Sequence, residues 1–87
     1  MEELPSGRLE QAIAQIWMET FKLERIGRNA DFYELGGDSF IGMDLMEKIA
    51  LRLGVELPVV MLFQHPTPRE LAQCINALHE QRSAEDS

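Results

Sequence analysis

The sequence has little cysteine and little histidine, with one and two residues of these types among 87. Because Cys74 is the only cysteine, no internal disulfide and no zinc site built from several cysteines can form. His65 and His79 do not stand at metal-ligand spacing, and the sequence places neither beside a serine as a hydrolase would need. The sequence therefore predicts neither a resident metal nor the catalytic constellation of an enzyme.

Long apolar runs and a surplus of basic residues are also missing. No run approaches the roughly 20 apolar residues that a membrane span needs, and the initial MEELPSGRLE lacks the basic and apolar regions of a signal peptide. Fifteen acidic residues stand against eight basic ones, for a formal net charge of −7. A field of this sign repels nucleic-acid phosphates and anionic lipid. We therefore expect a cytoplasmic protein that binds neither nucleic acid nor membrane.

The residues that are present fit one small helical domain. The hydrophobic fraction of 45% and the charged fraction of 26% are ordinary for a folded domain. Apolar residues recur at intervals of three and four in three segments, which predicts three amphipathic helices. VVMLF, after Pro58, predicts a short helix because the chain offers no second strand with which it could pair. We predict an all-α bundle of three main helices and one short helix, with a long loop between the first and second helices.

Local start and stop signals set the limits of these elements. We expect a domain over residues 6–80 and flexible tails at 1–5 and 81–87. Gly54 ends the second helix, and Thr67-Pro68-Arg69-Glu70 is typical of a helix start with a capping threonine and a glutamate that reaches back to it. The predicted helices run from after Ser6-Gly7 to about Lys22-Leu23, from Ser39 to Gly54, over Val59–Phe63, and from Thr67-Pro68 to about Leu78.

The long loop ends in FYELGGDSF, residues 32–40, where two glycines precede an aspartate and a serine. Gly36 and Gly37 allow backbone angles that other residues resist. We expect Ser39 to be the exposed N-cap of the second helix, where the helix dipole and unpaired N–H groups tolerate a phosphate ester on its oxygen. Gly42 is unfavourable by about 1 kcal/mol relative to alanine inside that helix, and close approach by another helix or by the loop would explain it.

Over Leu9 to Leu78 the chain resembles the phosphopantetheine-dependent carrier proteins, the peptidyl and acyl carriers of nonribosomal peptide, polyketide and fatty acid synthesis. The aromatic loop ending in GGDS, followed at appropriate spacing by LFQHPTPRELA, carries the resemblance. It implies that Ser39 receives a covalent 4′-phosphopantetheine arm from coenzyme A, with Asp38 and Gly37 as the motif around it and no metal of the carrier's own. The arm's thiol would then hold an aminoacyl or acyl group as a thioester.

The resemblance also implies which partners the chain meets. They are a phosphopantetheinyl transferase that uses Mg²⁺, an activating adenylation or acyltransferase enzyme, and downstream condensation, ketosynthase, tailoring or thioesterase enzymes. The chain itself would be a monomeric carrier and not an enzyme. An apolar patch with acidic neighbours suits modest-affinity docking by several enzymes. The residues expected to dock partners are Phe40, Met43, Asp44, Glu47 and Met61.

Two positions depart from the habit of peptidyl carriers. Those proteins commonly have leucine after the serine and a basic residue near position 44, where this chain has Phe40 and Asp44. The sequence therefore leaves open a peptidyl or a polyketide-type carrier, and a stand-alone chain or a domain of a larger synthase. The alternative function from another class is an unmodified helical module that binds partners without a prosthetic group.

Overall fold

Four helices follow one another along the chain in the computed structural model, which describes residues 3–85 and the side chains of residues 3–78. The described part contains no strand, which confirms the predicted all-α class. The predicted tail residues 1, 2, 86 and 87 lie outside it. The helices are α1 (Arg8–Phe21), α2 (Ser39–Leu53), α3 (Val59–Gln64) and α4 (Pro68–Glu85).

The end of α2 and the start of α4 follow the predicted stop and start signals. Gly54 follows α2 in the left-handed conformation, with φ of 67°, and its N–H donates to the carbonyl of Ala50 at 3.0 Å. This is the glycine-terminated end expected of a helix because glycine has no Cβ to strain. At the start of α4 the Thr67 hydroxyl accepts from the N–H of Glu70 at 3.1 Å. The Glu70 carboxylate accepts from that same hydroxyl at 3.2 Å, where we had expected it to reach the backbone N–H of the cap.

The core is formed by one apolar face from each helix together with two residues of the long loop. Helix α1 packs against α4 and α2, and α3 packs against α2 and α4. Ile26 and Phe32 insert from the loop, and Phe32 has no exposed surface. Each such buried side chain stabilises the fold by about 1.5 to 3 kcal/mol. The fully buried helical side chains include Ile13, Trp17, Leu45, Ile49, Leu62, Leu71 and Ile75.

The long loop is bonded to the turn between α3 and α4. The N–H of Phe32 donates to the carbonyl of Pro66 at 2.7 Å, and the N–H of Arg69 donates to the carbonyl of Arg28 at 3.1 Å. Backbone bonds in such irregular segments satisfy groups that would otherwise be buried without a partner. The loop is therefore a fixed part of the fold, and it holds the residues that lead into α2 in place.

A second fastening joins the loop to α1 and to the segment before it. The carboxylate of Glu10 is 5% exposed, accepts from Arg28 at 2.9 Å and accepts from the N–H of Ser6 at 2.6 Å. The backbone N–H of Arg28 donates to the carbonyl of Glu3 at 2.9 Å, and the two side chains lie 3.5 Å apart. Burial by itself would raise the pKa of Glu10. The bonds from Arg28 and Ser6 and the nearby positive charges outweigh burial and hold that pKa below 4.5.

The described residues extend beyond residues 6–80 at both ends, and the domain limits stay a prediction. Glu3 is bonded to the loop through Arg28, so the segment before residue 6 takes part in the fold. Helix α4 continues to Glu85, beyond the predicted limit at residue 80. The flexibility of the tails stays a prediction. Among residues 3–85, no helix has the length and apolar composition to cross a membrane.

The Glu10–Arg28 pair leads to a prediction about acid stability. We expect Glu10→Gln to lower the free energy of unfolding at neutral pH by about 1 to 3 kcal/mol, because a partly buried arginine loses its charged partner. The contribution of Glu10 is complete above the ordinary pKa of 4.5 and is lost as the pH falls through the lower pKa of the folded state. Urea unfolding of both proteins across this acidic range measures the effect.

Glu3→Gln is the matched control because Glu3 contacts the same arginine from an exposed position. It is expected to cost less than about 1 kcal/mol, as exposed ion pairs do. Equal effects of the two substitutions, or a Glu10→Gln effect that does not shrink in acid, would contradict the role given to Glu10.

Candidate functional site

Ser39 is the first residue of α2 and is exposed, and Asp38 precedes it as the N-cap. The Asp38 carboxylate accepts from the N–H of Ile41 at 2.9 Å, and the Asp38 carbonyl accepts from the N–H of Gly42 at 2.8 Å. The prediction that Ser39 caps the helix is therefore wrong. Aspartate and serine are both favoured caps, and the negative charge of Asp38 also suits the positive end of the helix dipole.

The use of Asp38 as the cap leaves the Ser39 hydroxyl available. Within the described side chains, Ser39 Oγ makes no hydrogen bond, and it lies on the surface in the first turn of α2. The first N–H groups of a helix have no partner within the helix, and the dipole there is positive. The site therefore suits a hydroxyl that carries an anionic group.

Gly36 and Gly37 serve different purposes, although the sequence suggested one purpose for both. Gly36 has φ of 91°, which confirms the expectation of a special backbone angle. Gly37 does not adopt a positive φ, so backbone freedom does not explain it. A Cβ added at Gly37 would lie 2.4 Å from Cζ of Phe32, closer than real Cβ contacts come. Gly37 is needed because the ring of Phe32 occupies the space of a side chain.

The aromatic residues of the loop anchor the turn before Ser39. The ring of Phe32 is buried and packs edge-on against Trp17, Phe21 and Tyr33, with centroids 5.6 to 6.1 Å away. Tyr33 is 53% exposed, but its ring stacks on Phe63 and its hydroxyl donates to the Phe63 carbonyl at 3.2 Å. The loop thus packs against α1 through Phe32 and against α3 through Tyr33.

Four of the five residues expected to dock partners lie together on α2. Phe40 is 84% exposed, Met43 is 62% exposed, and Asp44 and Glu47 are also exposed. At about 100° per residue, positions 40, 44 and 47 share one face of the helix and Met43 lies at its edge. We call these four residues, with Ser39 at their N-terminal end, the outer face of α2.

Met61 lies apart from the outer face of α2. It is half-buried and lines a cavity of about 370 Å³ between the α2–α3 connection and α4, together with Leu57, Ile75 and Leu78. The short length of α3 gave no periodic stripe from which its facing could be read. The placement of Met61 gives no support to its predicted docking role.

Two exposed apolar residues were not singled out from the sequence. Leu51 is 79% exposed, and it stands 11 residues after Phe40, a spacing of about three helical turns that places it on the same face of α2. That spacing is a signal the sequence contained. Val60 on α3 is 48% exposed. Between α2 and the α2–α3 connection lies a groove of about 740 Å³ that Met43 and Glu47 line.

The charges on α2 are partly paired with α1. Lys48 lies 3.2 Å from the Asp44 carboxylate and donates to the Thr20 hydroxyl at 3.2 Å. Arg52 is paired with Glu19 of α1. Exposed pairs of this kind contribute little to stability. Lys48 offsets part of the negative charge of Asp44, so Glu47 supplies most of the acidic character of the outer face.

Cys74 lies on the α4 face that packs toward the core and is partly buried. Burial, and secondly the negative charge of Glu70, raise the pKa of its thiol above 9.0. A protonated thiol is a poor nucleophile. Within the described residues, no group of three or more histidine, cysteine, aspartate or glutamate side chains could hold a metal ion.

Comparison with known families agrees with this geometry. The family model described as phosphopantetheine attachment site matches residues 11–75, which contain the loop, Ser39 and the outer face of α2. The chain belongs to the phosphopantetheine attachment site family. It is a phosphopantetheine carrier domain whose covalent cofactor is 4′-phosphopantetheine.

The sequences and solved structures most similar to this carrier domain include components of peptide synthetases. Malpibaldin synthetase of Mortierella alpina is 44% identical over 71 residues, which cover 82% of this chain and 1% of that protein. A docking-domain complex of the Pax nonribosomal peptide synthetase, PaxA T1-CDD/PaxB NDD, superposes with a TM-score of 0.83 at 36% identity, over 99% of this chain and 86% of that one. The carrier domain spans between 1% and 5% of the length of the curated relatives it matches.

A third similar structure contains an enzyme that modifies carriers. A peptidyl carrier protein in complex with coenzyme A and the phosphopantetheine transferase Sfp superposes with a TM-score of 0.81 at 29% identity. The match covers 86% of this carrier domain and 97% of that protein.

The capping arrangement predicts different effects of two neighbouring substitutions on stability. Asp38→Ala should lower the free energy of unfolding by about 1 kcal/mol because α2 loses its N-cap. Ser39→Ala should change it by less than about 0.5 kcal/mol because its hydroxyl supports no described bond. Thermal unfolding of the unmodified domain measures both, and a larger loss from Ser39→Ala would assign the cap to the serine after all.

Proposed function

We propose that Ser39 Oγ is the attachment point of 4′-phosphopantetheine and that the chain carries aminoacyl or acyl intermediates between partner enzymes. The observation that supports this proposal is that the cap of α2 and the exposed hydroxyl belong to different residues, Asp38 and Ser39. Asp38 caps α2, so the adjacent hydroxyl stays exposed at the positive end of the helix. When attached, the arm supplies a terminal thiol on which an acyl group is held as a thioester.

The attachment step is a phosphoryl transfer to the serine oxygen. Ser39 Oγ would attack the pantetheine-bearing phosphorus of the coenzyme A pyrophosphate, so that an O–P bond forms and the pyrophosphate P–O bond breaks. Adenosine 3′,5′-bisphosphate leaves, and the hydroxyl proton passes to a base on the transferase. Mg²⁺ on the transferase would offset the charge of the phosphates.

The chain itself contributes placement and charge to this step. The first N–H groups of α2 and its dipole favour the phosphodiester that the reaction leaves on Ser39. The exposed position of Ser39 gives the transferase access to the oxygen. Neither role requires a general base on the carrier. We therefore propose a non-catalytic carrier that is a substrate of its modifying enzyme.

The outer face of α2 is the surface that we propose for docking partner enzymes. Phe40 and Met43 expose apolar surface beside the attachment point, and Asp44 and Glu47 add acidic groups. Apolar contacts with an acidic border suit partners that have a complementary pocket with basic residues around it. Such partners would be the transferase, an adenylation or acyltransferase enzyme, and condensation, ketosynthase, tailoring or thioesterase enzymes.

The relatives favour the peptide branch of this chemistry. The Pax system is named as a nonribosomal peptide synthetase, and its carrier-containing complex matches most of this chain. We therefore propose an aminoacyl or peptidyl cargo. Phe40 and Asp44 still depart from the residues that peptidyl carriers commonly have, so these two positions are the ones that would distinguish its partners.

The mass of the protein tests the attachment. After incubation with coenzyme A, Mg²⁺ and the transferase Sfp, we expect the chain to gain the mass of one phosphopantetheinyl group, and Ser39→Ala to gain none. Ser6→Ala is the matched control because Ser6 is another exposed serine just before a helix, and it should be modified as the natural sequence is. An unmodified, folded natural chain would favour the unmodified interaction module.

The docking surface makes a separate kinetic prediction. Phe40→Ala and Met43→Ala should each raise the KM of Sfp for the unmodified carrier by about fivefold or more, the effect of losing a significant interface contact. Circular dichroism should be unchanged because both side chains are exposed.

Leu51→Ala is the control for this experiment. Leu51 is equally exposed on the same face but lies about 16.5 Å further along the helix axis from Phe40. Its substitution should leave the KM within about twofold of the original value, the scatter expected for surface changes. Equal effects at all three positions would spread the docking surface over the whole helix, and no effect at Phe40 and Met43 would remove it from this face.

A further inference from the structure

The tip of the Phe32 ring touches the chain on both sides of Ser39. A Cβ added at Gly37 would lie 2.4, 2.5 and 2.6 Å from Cζ, Cε1 and Cε2 of that ring. A Cβ added at Gly42, one turn into α2, would lie 3.5 Å from the same Cζ atom. A single buried atom thus lies against the turn that leads to Ser39 and against the first turn that follows it.

The ring has little freedom to move away from these contacts. Phe32 has no exposed surface, and the rings of Trp17, Phe21 and Phe63 surround it with centroids 5.7 to 6.1 Å away. Its backbone N–H is held by the carbonyl of Pro66 at 2.7 Å. Close-packed interiors transmit a displacement to their neighbours, since they contain few voids that could absorb it.

The backbone between Phe32 and α2 is closed into a compact turn. The Asp31 carboxylate accepts from the N–H of Tyr33 at 2.8 Å and of Glu34 at 3.2 Å, and the N–H of Gly37 donates to the carbonyl of Phe32 at 2.9 Å. Residue 37 is therefore fixed to residue 32 by a hydrogen bond as well as by the ring. Only Asp38 separates this fixed point from Ser39.

We propose that Phe32 is a positioning residue for the modification of Ser39, and that Gly37 is required because it admits the ring. The inference rests on the function proposed for Ser39. The ring tip between Gly37 and Gly42 sets where residues 38–41 stand relative to the core. It thereby sets the direction in which the serine oxygen meets the transferase. A misplacement of about 1 Å can slow a reaction by about 100-fold when reacting atoms must be aligned.

The test is a double-mutant cycle in which the clash is introduced and then relieved. Gly37→Ala should lower the kcat of Sfp by about 10- to 100-fold because the new methyl group displaces the turn from the ring. Phe32→Leu removes the three ring atoms that would clash, so Gly37→Ala in that background should cost about twofold or less. The KM should change little because the outer face of α2 keeps its exposed residues.

Gly36→Ala is the matched control. Gly36 also stands in the turn, but it has φ of 91° and nothing within 4 Å of an added Cβ. Its substitution strains the backbone angle, so any cost should be the same with phenylalanine or leucine at position 32. Rescue of both glycine variants by Phe32→Leu would show a general loosening of the loop and would overturn the proposal.

A measurement that does not use the transferase tests the steric contact between Phe32 and Gly37 separately from the function proposed for Ser39. In ¹H–¹⁵N spectra of the unmodified protein, Gly37→Ala should shift the amides of Ser39 and Gly42, and Gly36→Ala should not shift Gly42. Unfolding of each variant is measured in parallel, and modification rates are compared only under conditions in which all variants are folded. If Phe32→Leu does not fold, Phe32→Met takes its place in the cycle because methionine also lacks the ring. The spectra of Gly37→Ala alone test the steric contact without a substitution at position 32.

Failure of the proposed function and failure of the positioning role give different results. Failure of the natural chain to be modified would remove the proposed function, while the amide shifts would still report the steric coupling. A natural chain that is modified, with Gly37→Ala modified at the same rate or merely less stable, would leave Phe32 a core residue and overturn its positioning role.

Discussion

The packing of one aromatic side chain determines how the long loop joins the helical bundle. Phe32 lies where α1, α3 and the start of α2 converge, and it is fully buried although it belongs to a segment without regular structure. Its backbone is bonded to Pro66 and its ring excludes a side chain at Gly37. Without this insertion, Ile26 would be the only buried apolar side chain of the described loop. The proposed attachment site, Ser39, therefore follows a turn that is packed on the core and is not a free turn.

The sequence predicted the helices well because each signal was local. Periodic apolar residues, Gly54 and the Thr67-Pro68 start depend on neighbours within a few positions, and the structure confirms all of them. The close approach expected at Gly42 is also present, with Leu62 and Phe63 of α3 at 3.4 Å from an added Cβ. A glycine inside a predicted helix is thus a local signal that another element packs closely against it.

The features that the sequence did not predict depend on distant residues or on a choice between equals. Asp38 and Ser39 are both good caps, and only the exact start of α2 decides between them. The reason for Gly37 required knowing where the ring of Phe32 goes. The Glu10–Arg28 pair joins positions 18 apart without a shared helix. The facing of Met61 could not be predicted because the six residues of α3 are too few to show a helical period, and its docking role stays a prediction.

A carrier must be modified once, loaded and then released by a series of enzymes. This places two different demands on the domain, one on the placement of the modified residue and one on docking. The position of Ser39 has to be reproducible, and the proposed positioning by a buried ring and a hydrogen-bonded turn meets this demand. Docking has to be weak enough to reverse, and a small exposed patch of Phe40 and Met43 with acidic neighbours suits that demand. Because the two demands are assigned to different residues, we expect substitutions at Phe40 or Asp44 to change which partner binds without moving Ser39 Oγ, the proposed attachment point. The departure of these two positions from the usual pattern is thus compatible with the role proposed for Ser39.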